Sequence, residues 1–313
     1  MIVSFLSSRA RWLAWLFCVA ALLRAHAEQI TLFPCADATL FEFKPTNSMG
    51  GIDWISAGTT QNGNSNRALI KFNVASALPV GATITDIGVN VSVTRTPVDG
   101  NTDSLFSLRR VLRPWNEGSN LAADSNYPGQ GSPATPGDAT WTHASWGTAA
   151  WSIPGGQEGV DYSGDFSAST SIAGVRAAPY FFESGGMIAD VQLWLDHPEQ
   201  NFGWMLKTED EESTFTARRF GSRELESPSE SPQLIITYLP PLLFTEFHVV
   251  SNRLSLSFDP SFGYSYRVES HAVVAGTNAW ITLTNFGLVL SPGPCTATDA
   301  LTNAARFYRV RRD

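Results

Sequence analysis

The chain has 313 residues, with 21 Lys and Arg against 29 Asp and Glu, a net charge of −8. That acidic balance argues against a nucleic-acid partner, whose phosphates demand clustered cations. The 3 cysteines form no CxxC or Cys/His cluster, which removes the common structural zinc motifs.

The N-terminus reads as an export signal. Arg9 and Arg11 supply a basic start, Trp12 to Leu23 an apolar stretch, and Ala25-His26-Ala27 a small-x-small cleavage site, so residues 1–27 are expected to be removed. The apolar stretch is about a dozen residues, short of the roughly 20 that span a bilayer. Charged or turn residues interrupt every later hydrophobic run. The expectation is a secreted protein, extracellular or at the cell surface, with no transmembrane segment after signal removal. Loss of Arg9, Arg11 and Arg24 leaves 18 basic against 29 acidic residues, a net charge of −11. Cys18 leaves with the signal, and the remaining Cys35 and Cys295 could pair in an oxidising compartment.

The composition of the whole chain favours strands, with 25 Gly, 18 Pro and 12% aromatics, and short apolar runs broken by turn residues follow beyond residue 28. Ala68 to Val74 reads as a strand. Thr83 to Thr94 reads as another, with Val89, Val91 and Val93 alternating with small or polar residues. Phe106 to Leu112, Phe202 to Lys207, Phe215 to Phe220 and Leu234 to Tyr238 continue the series. Thr208 to Ser213 reads as a solvated acidic turn between two of them. Met187, Val191, Trp194 and Leu195 fall at helical spacing and predict one short helix, stopped by His197-Pro198. Residues 116–171 form a Trp-bearing stretch too long for a hairpin, hence an excursion of loops. Pro240-Pro241 marks a junction, after which strand signals resume at Phe247, Leu254 to Phe258, Tyr264 to Glu269 and Trp280 to Leu283. The predicted organisation is all-β: a sandwich over residues 28–239 with one helix, then a small β-sandwich over 240–313.

Ala36-Asp37-Ala38-Thr39, Asn66 to Val74, Leu78-Pro79, Val111 to Trp115 with Glu117-Gly118, Ala139-Thr140-Trp141, Val191 to Leu195, Asn201 to Lys207, Ser222-Arg223-Glu224 and Pro232 to Tyr238 follow one family order. Residues 29–238 resemble the DNRLRE (disaggregatase-related) domain. The resemblance implies a jelly roll similar to alginate-type carbohydrate-binding modules, and hence glycan or matrix binding. The C-terminal part, with Tyr266 to Ser270, Trp280, Asp299 and Ala305 to Val310, resembles small fibronectin-like terminal modules of secreted planctomycete and verrucomicrobial proteins. That implies a spacer, or attachment to the cell envelope or a partner enzyme.

The sequence carries no G-x-S-x-G elbow, H-E-x-x-H, phosphate loop or dinucleotide fingerprint, so no catalytic residue is assigned. The leading expectation is a non-catalytic binder of polysaccharide, acidic rather than neutral. Its rivals are a structural surface protein without a sugar site and a polysaccharide lyase or glycoside hydrolase. Aromatic rings stack on sugars and guanidinium groups grip carboxylates, so the candidate ligand-binding residues are Trp115, Trp146, Trp151, Arg67, Arg219 and Arg223. Trp141 and Trp151 also suit anchors in a core. Arg218 and Arg219 are neighbours on a strand and must face opposite ways. Calcium, which takes carboxylate and amide oxygens, is the candidate cofactor, with Asp37, Asn47 and Asp53 as ligands.

Overall fold

The computed structural model describes residues 27–121, 129–271, 280–291, 293–301 and 306–313. Apart from Ala27, the expected export signal lies outside them. Among the described residues no helix is long and apolar enough to cross a membrane. The chain is all-β in character and divides into two units, Gln29–Tyr238 and Leu239–Asp313.

The strands of the first unit are β1 (Glu28–Leu32), β2 (Ala36–Phe41), β3 (Asn47–Ser48), β4 (Trp54–Thr59), β5 (Ser65–Lys71), β6 (Thr83–Val91), β7 (Val93–Arg95) and β8 (Ser104–Arg110). After them come β9 (Ser132–Pro133), β10 (His143–Ser145), β11 (Ala149–Ala150), β12 (Ala168–Ile172), β13 (Tyr180–Phe182), β14 (Trp204–Thr208), β15 (Arg218–Gly221) and β16 (Gln233–Leu239). The larger sheet runs β12-β8-β14-β5-β4-β15-β7, with β2 also paired to β5, and the smaller runs β1-β16-β6-β13. Ile70, Phe106, Leu206 and Phe220 of the larger sheet and Val89, Val91 and Ile236 of the smaller share one buried core. This is a β-sandwich.

Among the described residues there is one α-helix, α1 (Gly185–Asp196), which starts two residues earlier than its apolar spacing predicts. Ser184 caps it by accepting a hydrogen bond from the Met187 N–H, which satisfies one of the donors a first turn leaves free. Met187, Val191, Trp194 and Leu195 lie on one stripe and enter the sandwich core, where the Trp194 and Trp204 rings approach to 4.5 Å. Pro198 opens a short 3-10 turn and ends the helix.

The other face of the larger sheet is also apolar along part of its width. Leu69 and Met205 alternate with core-facing Ala68, Ile70, Trp204 and Leu206, and therefore point outward. The excursion after β8 folds onto them, bringing Trp115, Trp141, Trp151 and Tyr162 into a second buried cluster. Trp115 and Trp151 are 7% and 4% exposed. Their indole N–H groups donate to the carbonyls of Phe202 and Thr140 at 2.7 and 2.8 Å. This corrects their assignment as sugar platforms: a loop rich in Gly and Pro uses its aromatics as anchors here, because a sheet with an apolar outer face must be covered.

Thr208 to Ser213 is likewise more than a solvated turn. Asp210 is exposed and caps Ser213, whereas Glu209 and Glu211 fold back over three outward cations on neighbouring strands, Arg109, Lys207 and Arg67. The result is a charge ladder in which each acid sits between two cations.

The second unit contains β17 (Phe244–Val250), β18 (Arg253–Phe258), β19 (Ser265–His271), β20 (Ile281–Leu288), β21 (Cys295–Ala300) and β22 (Phe307–Arg312). They form two three-stranded sheets, β17-β18-β21 and β20-β19-β22. Leu256, Phe258, Tyr266, Val268 and Ala297 make its small core, and the Tyr266 hydroxyl exchanges hydrogen bonds of 2.9 Å with the backbone of Ser261. Cys35 and Cys295 are free thiols.

Candidate functional site

The excursion leaves the β4-β15-β7 end of the larger sheet with an open groove. On β4, Ile55 and Ala57 join the core, so Trp54 and Ser56 project outward. On β15, Phe220 enters the core and Arg218 is 1% exposed, leaving Arg219 outward and opposite Ser56. The adjacent arginines do face opposite ways.

A β-bulge completes the set. Phe220 pairs with Val93 and Arg219 with Arg95, so one step on β15 matches two on β7, and Thr94 is the extra residue. Simple alternation from core-facing Val93 would send Arg95 into the sandwich. The bulge turns it to the side of Arg219 instead.

The groove encloses about 320 Å³ and is lined by Phe41, Phe43, Trp54, Asn64, Asn66 and Gln130 together with the two arginines. The Arg219 guanidinium lies 3.8 Å above the Trp54 ring. Gly129, at φ 91°, closes against this pair, and a Cβ there would come within 2.5 Å of Arg219 Nη2. Phe43 is 51% exposed, which leaves an apolar ring at the rim. Asn66 Nδ2 donates to Ser56 Oγ at 3.2 Å, and the buried Gln130 Oε1 accepts no hydrogen bond among the described residues.

The electrostatics set this groove apart. Arg67, Arg109, Arg113 and Arg223 each hold a carboxylate at 2.6–2.9 Å. Among the described residues neither Arg95 nor Arg219 has a carboxylate partner, nor a hydrogen-bond acceptor for its guanidinium. Partial burial lowers the Arg219 pKa, the neighbouring Arg95 charge lowers it further, and Asp53 offsets only part of this. Two guanidinium groups side by side, that of Arg219 partly buried and that of Arg95 exposed, with no carboxylate bound to either among the described residues, can receive an anion. A carboxylate or sulfate could receive their paired N–H donors, and the amides around it could serve hydroxyl groups.

Of the residues singled out in the sequence, Arg219 is in the groove and the others are elsewhere. Arg67 is consumed by a two-pronged pair with Glu211 at 2.8 and 2.7 Å and by the Gly155 carbonyl, beneath the Trp141 ring. Arg223 pairs with Glu117 and Glu224. Trp146 is half-buried beside β10, edge-on to His143 at 4.7 Å, and is not among the groove's lining residues. The metal grouping is corrected as well. The carboxylates gathered around Asp37 are Glu117 and Glu224 and not Asp53, which is exposed, while Asn47 donates its Nδ2–H to the Gln130 carbonyl beside the excursion. Sequence reasoning missed Trp54, Arg95, Phe43 and the Asn64 and Asn66 amides. No local signal pointed to the aromatics and amides, and for Arg95 the one hint was a charge at a position that strict alternation turns inward.

No family model matches the chain, and no curated protein matches it. Among solved structures, a β-1,2-glucanase from Parabacteroides distasonis is similar at 12% identity and a TM-score of 0.18, over 93% of this chain and 35% of that one. This chain therefore spans about a third of that protein's length.

Proposed function

We propose that this protein is a secreted, non-catalytic module that binds an acidic polysaccharide in the groove at the β4-β15-β7 end of its larger sheet. The observation that carries this reading is the Arg95–Arg219 pair, two outward guanidinium groups that bind no carboxylate among the described residues, in a concavity that also offers an exposed ring and side-chain amides. A uronic acid presents the same elements in reverse: one carboxylate, hydroxyl groups and an apolar C–H face. The resemblance of residues 29–238 to alginate-type binding modules points the same way. In this reading the C-terminal sandwich is a spacer or an anchor to the cell envelope or a partner enzyme.

The test is affinity electrophoresis of the purified protein in gels containing alginate, pectin, a sulfated glycan or neutral xylan. Retardation by the acidic polymers and not by xylan is expected, and Arg95→Ala with Arg219→Ala should abolish it. Equal mobility in every gel, or retardation that survives the double substitution, would overturn the proposal.

A further inference from the structure

A second site lies apart from the groove. Asp37 on β2, Glu117 in the excursion and Glu224 just after β15 are far apart in sequence, yet each brings a carboxylate oxygen within 4.8 Å of the others. Backbone geometry holds them there. The Asp37 N–H donates to Glu117 Oε1 at 2.6 Å, and the Arg223 N–H donates to Asp37 Oδ2 at 2.7 Å. Gly50 lets Glu117 come this close, since a Cβ at that position would meet the Glu117 carbonyl at 2.4 Å.

With all three carboxylates ionised, the charges do not balance. Arg223 Nε reaches Glu117 at 2.7 Å and Glu224 at 2.8 Å, which answers one negative charge of three. Asp37 is fully buried, and its Oδ1 has no hydrogen-bond partner, although a buried carboxylate oxygen costs several kcal/mol if left unmet. Within such a cluster, an orphaned anionic oxygen is what a hard cation would satisfy. Carboxylate-only donors select for calcium-like ions over zinc or copper, and the convergence of separate segments suits the irregular geometry calcium accepts.

We infer that Asp37, Glu117 and Glu224 bind one calcium-class divalent cation, which ties β2, the excursion and the segment after β15 together. The site is structural and independent of glycan binding. Because a cation at 100 times its Kd favours the folded state strongly, adding CaCl2 to chelator-treated protein should raise Tm by roughly 5–10 °C. Titration calorimetry should give one site per chain. Asp37→Asn removes the orphaned charge without changing shape, so it should fold and lose the response. Glu224→Gln, at a less buried position, provides a second variant and should weaken the affinity at least tenfold. A wild-type protein whose Tm and calorimetric trace ignore calcium would overturn the inference, as would a response undiminished in both variants. Glycan retardation of the groove, measured on the same samples, reports separately on the function proposed above.

Discussion

Arg218 and Arg219 are adjacent, chemically identical and on one strand, yet their replacement by alanine should have opposite consequences. The Arg219 side chain rests on Trp54 and meets no protein acceptor among the described residues, so its loss removes one cation–π contact, worth about 0.5–2 kcal/mol, and relieves repulsion from Arg95. Stability should therefore change by no more than about 1 kcal/mol. Binding to an acidic glycan should weaken by about 1.5–3 kcal/mol, the range for a hydrogen bond to a charged group, or roughly 10- to 150-fold in Kd. Arg218 is the reverse case. Its guanidinium donates to the carbonyls of Thr102, Ala173, Phe215 and Ala217 beneath the sheet, and alanine leaves those acceptors unmet, at about 2–4 kcal/mol. Urea unfolding followed by fluorescence gives one axis, and calorimetric titration with alginate oligosaccharides the other. If Arg219→Ala unfolds as readily as Arg218→Ala, or binds as tightly as the parent, the groove assignment is refuted.

Three further outcomes are expected. Trp151→Ala should lower stability by about 3–5 kcal/mol in urea unfolding while leaving glycan affinity near that of the parent, because the indole fills the second core and not the groove. Gly129→Ala should weaken binding several-fold in the same calorimetric assay, since its Cβ would displace Arg219 from Trp54 and its φ of 91° strains any L-residue. Burial raises the pKa of Asp161, but the Arg113 guanidinium and donors from Gln157 and Ser152 outweigh it, so the folded value lies below the ordinary 3.8. A depressed carboxylate stabilises fully above its unfolded pKa and ceases to as pH falls through the folded one, so its contribution should begin to decline below about pH 4 and be gone once the pH is under the folded value. Urea midpoints measured from pH 6 to pH 2 should fall less steeply in Asp161→Asn.

The sandwich was legible in sequence where a strand has one dry face. Thr83 to Val91 alternates because the smaller sheet packs one side only, and the helix stripe at Met187, Val191 and Trp194 is unmistakable for the same reason. Legibility failed where local composition and long-range packing disagree. Trp115 and Trp151 sit among turn residues that suggest exposure, and their burial depends on Leu69 and Met205, tens of residues away. The charge ladder was hidden because Glu209 and Glu211 look like any acidic turn until Arg67 and Arg109 arrive from other strands. Arg219 could be chosen as one of two neighbours, but its companions could not. Trp54 opens a strand whose outward residues carry no pattern, and strict alternation would put Arg95 on the wrong side.

The bulge at Thr94 has a consequence for how such a surface could arise. Covering the outer sheet took several large aromatic residues and a long excursion, each useful only when the others are present. The arginine pair needs no comparable investment, since a single inserted residue in β7 reverses the face of everything beyond it while the pairing before it stays intact. Gain or loss of one codon is therefore enough to turn a featureless sheet end into an anion receptor or back again. Among relatives of this fold, ligand binding at this position should track strand length more closely than residue identity.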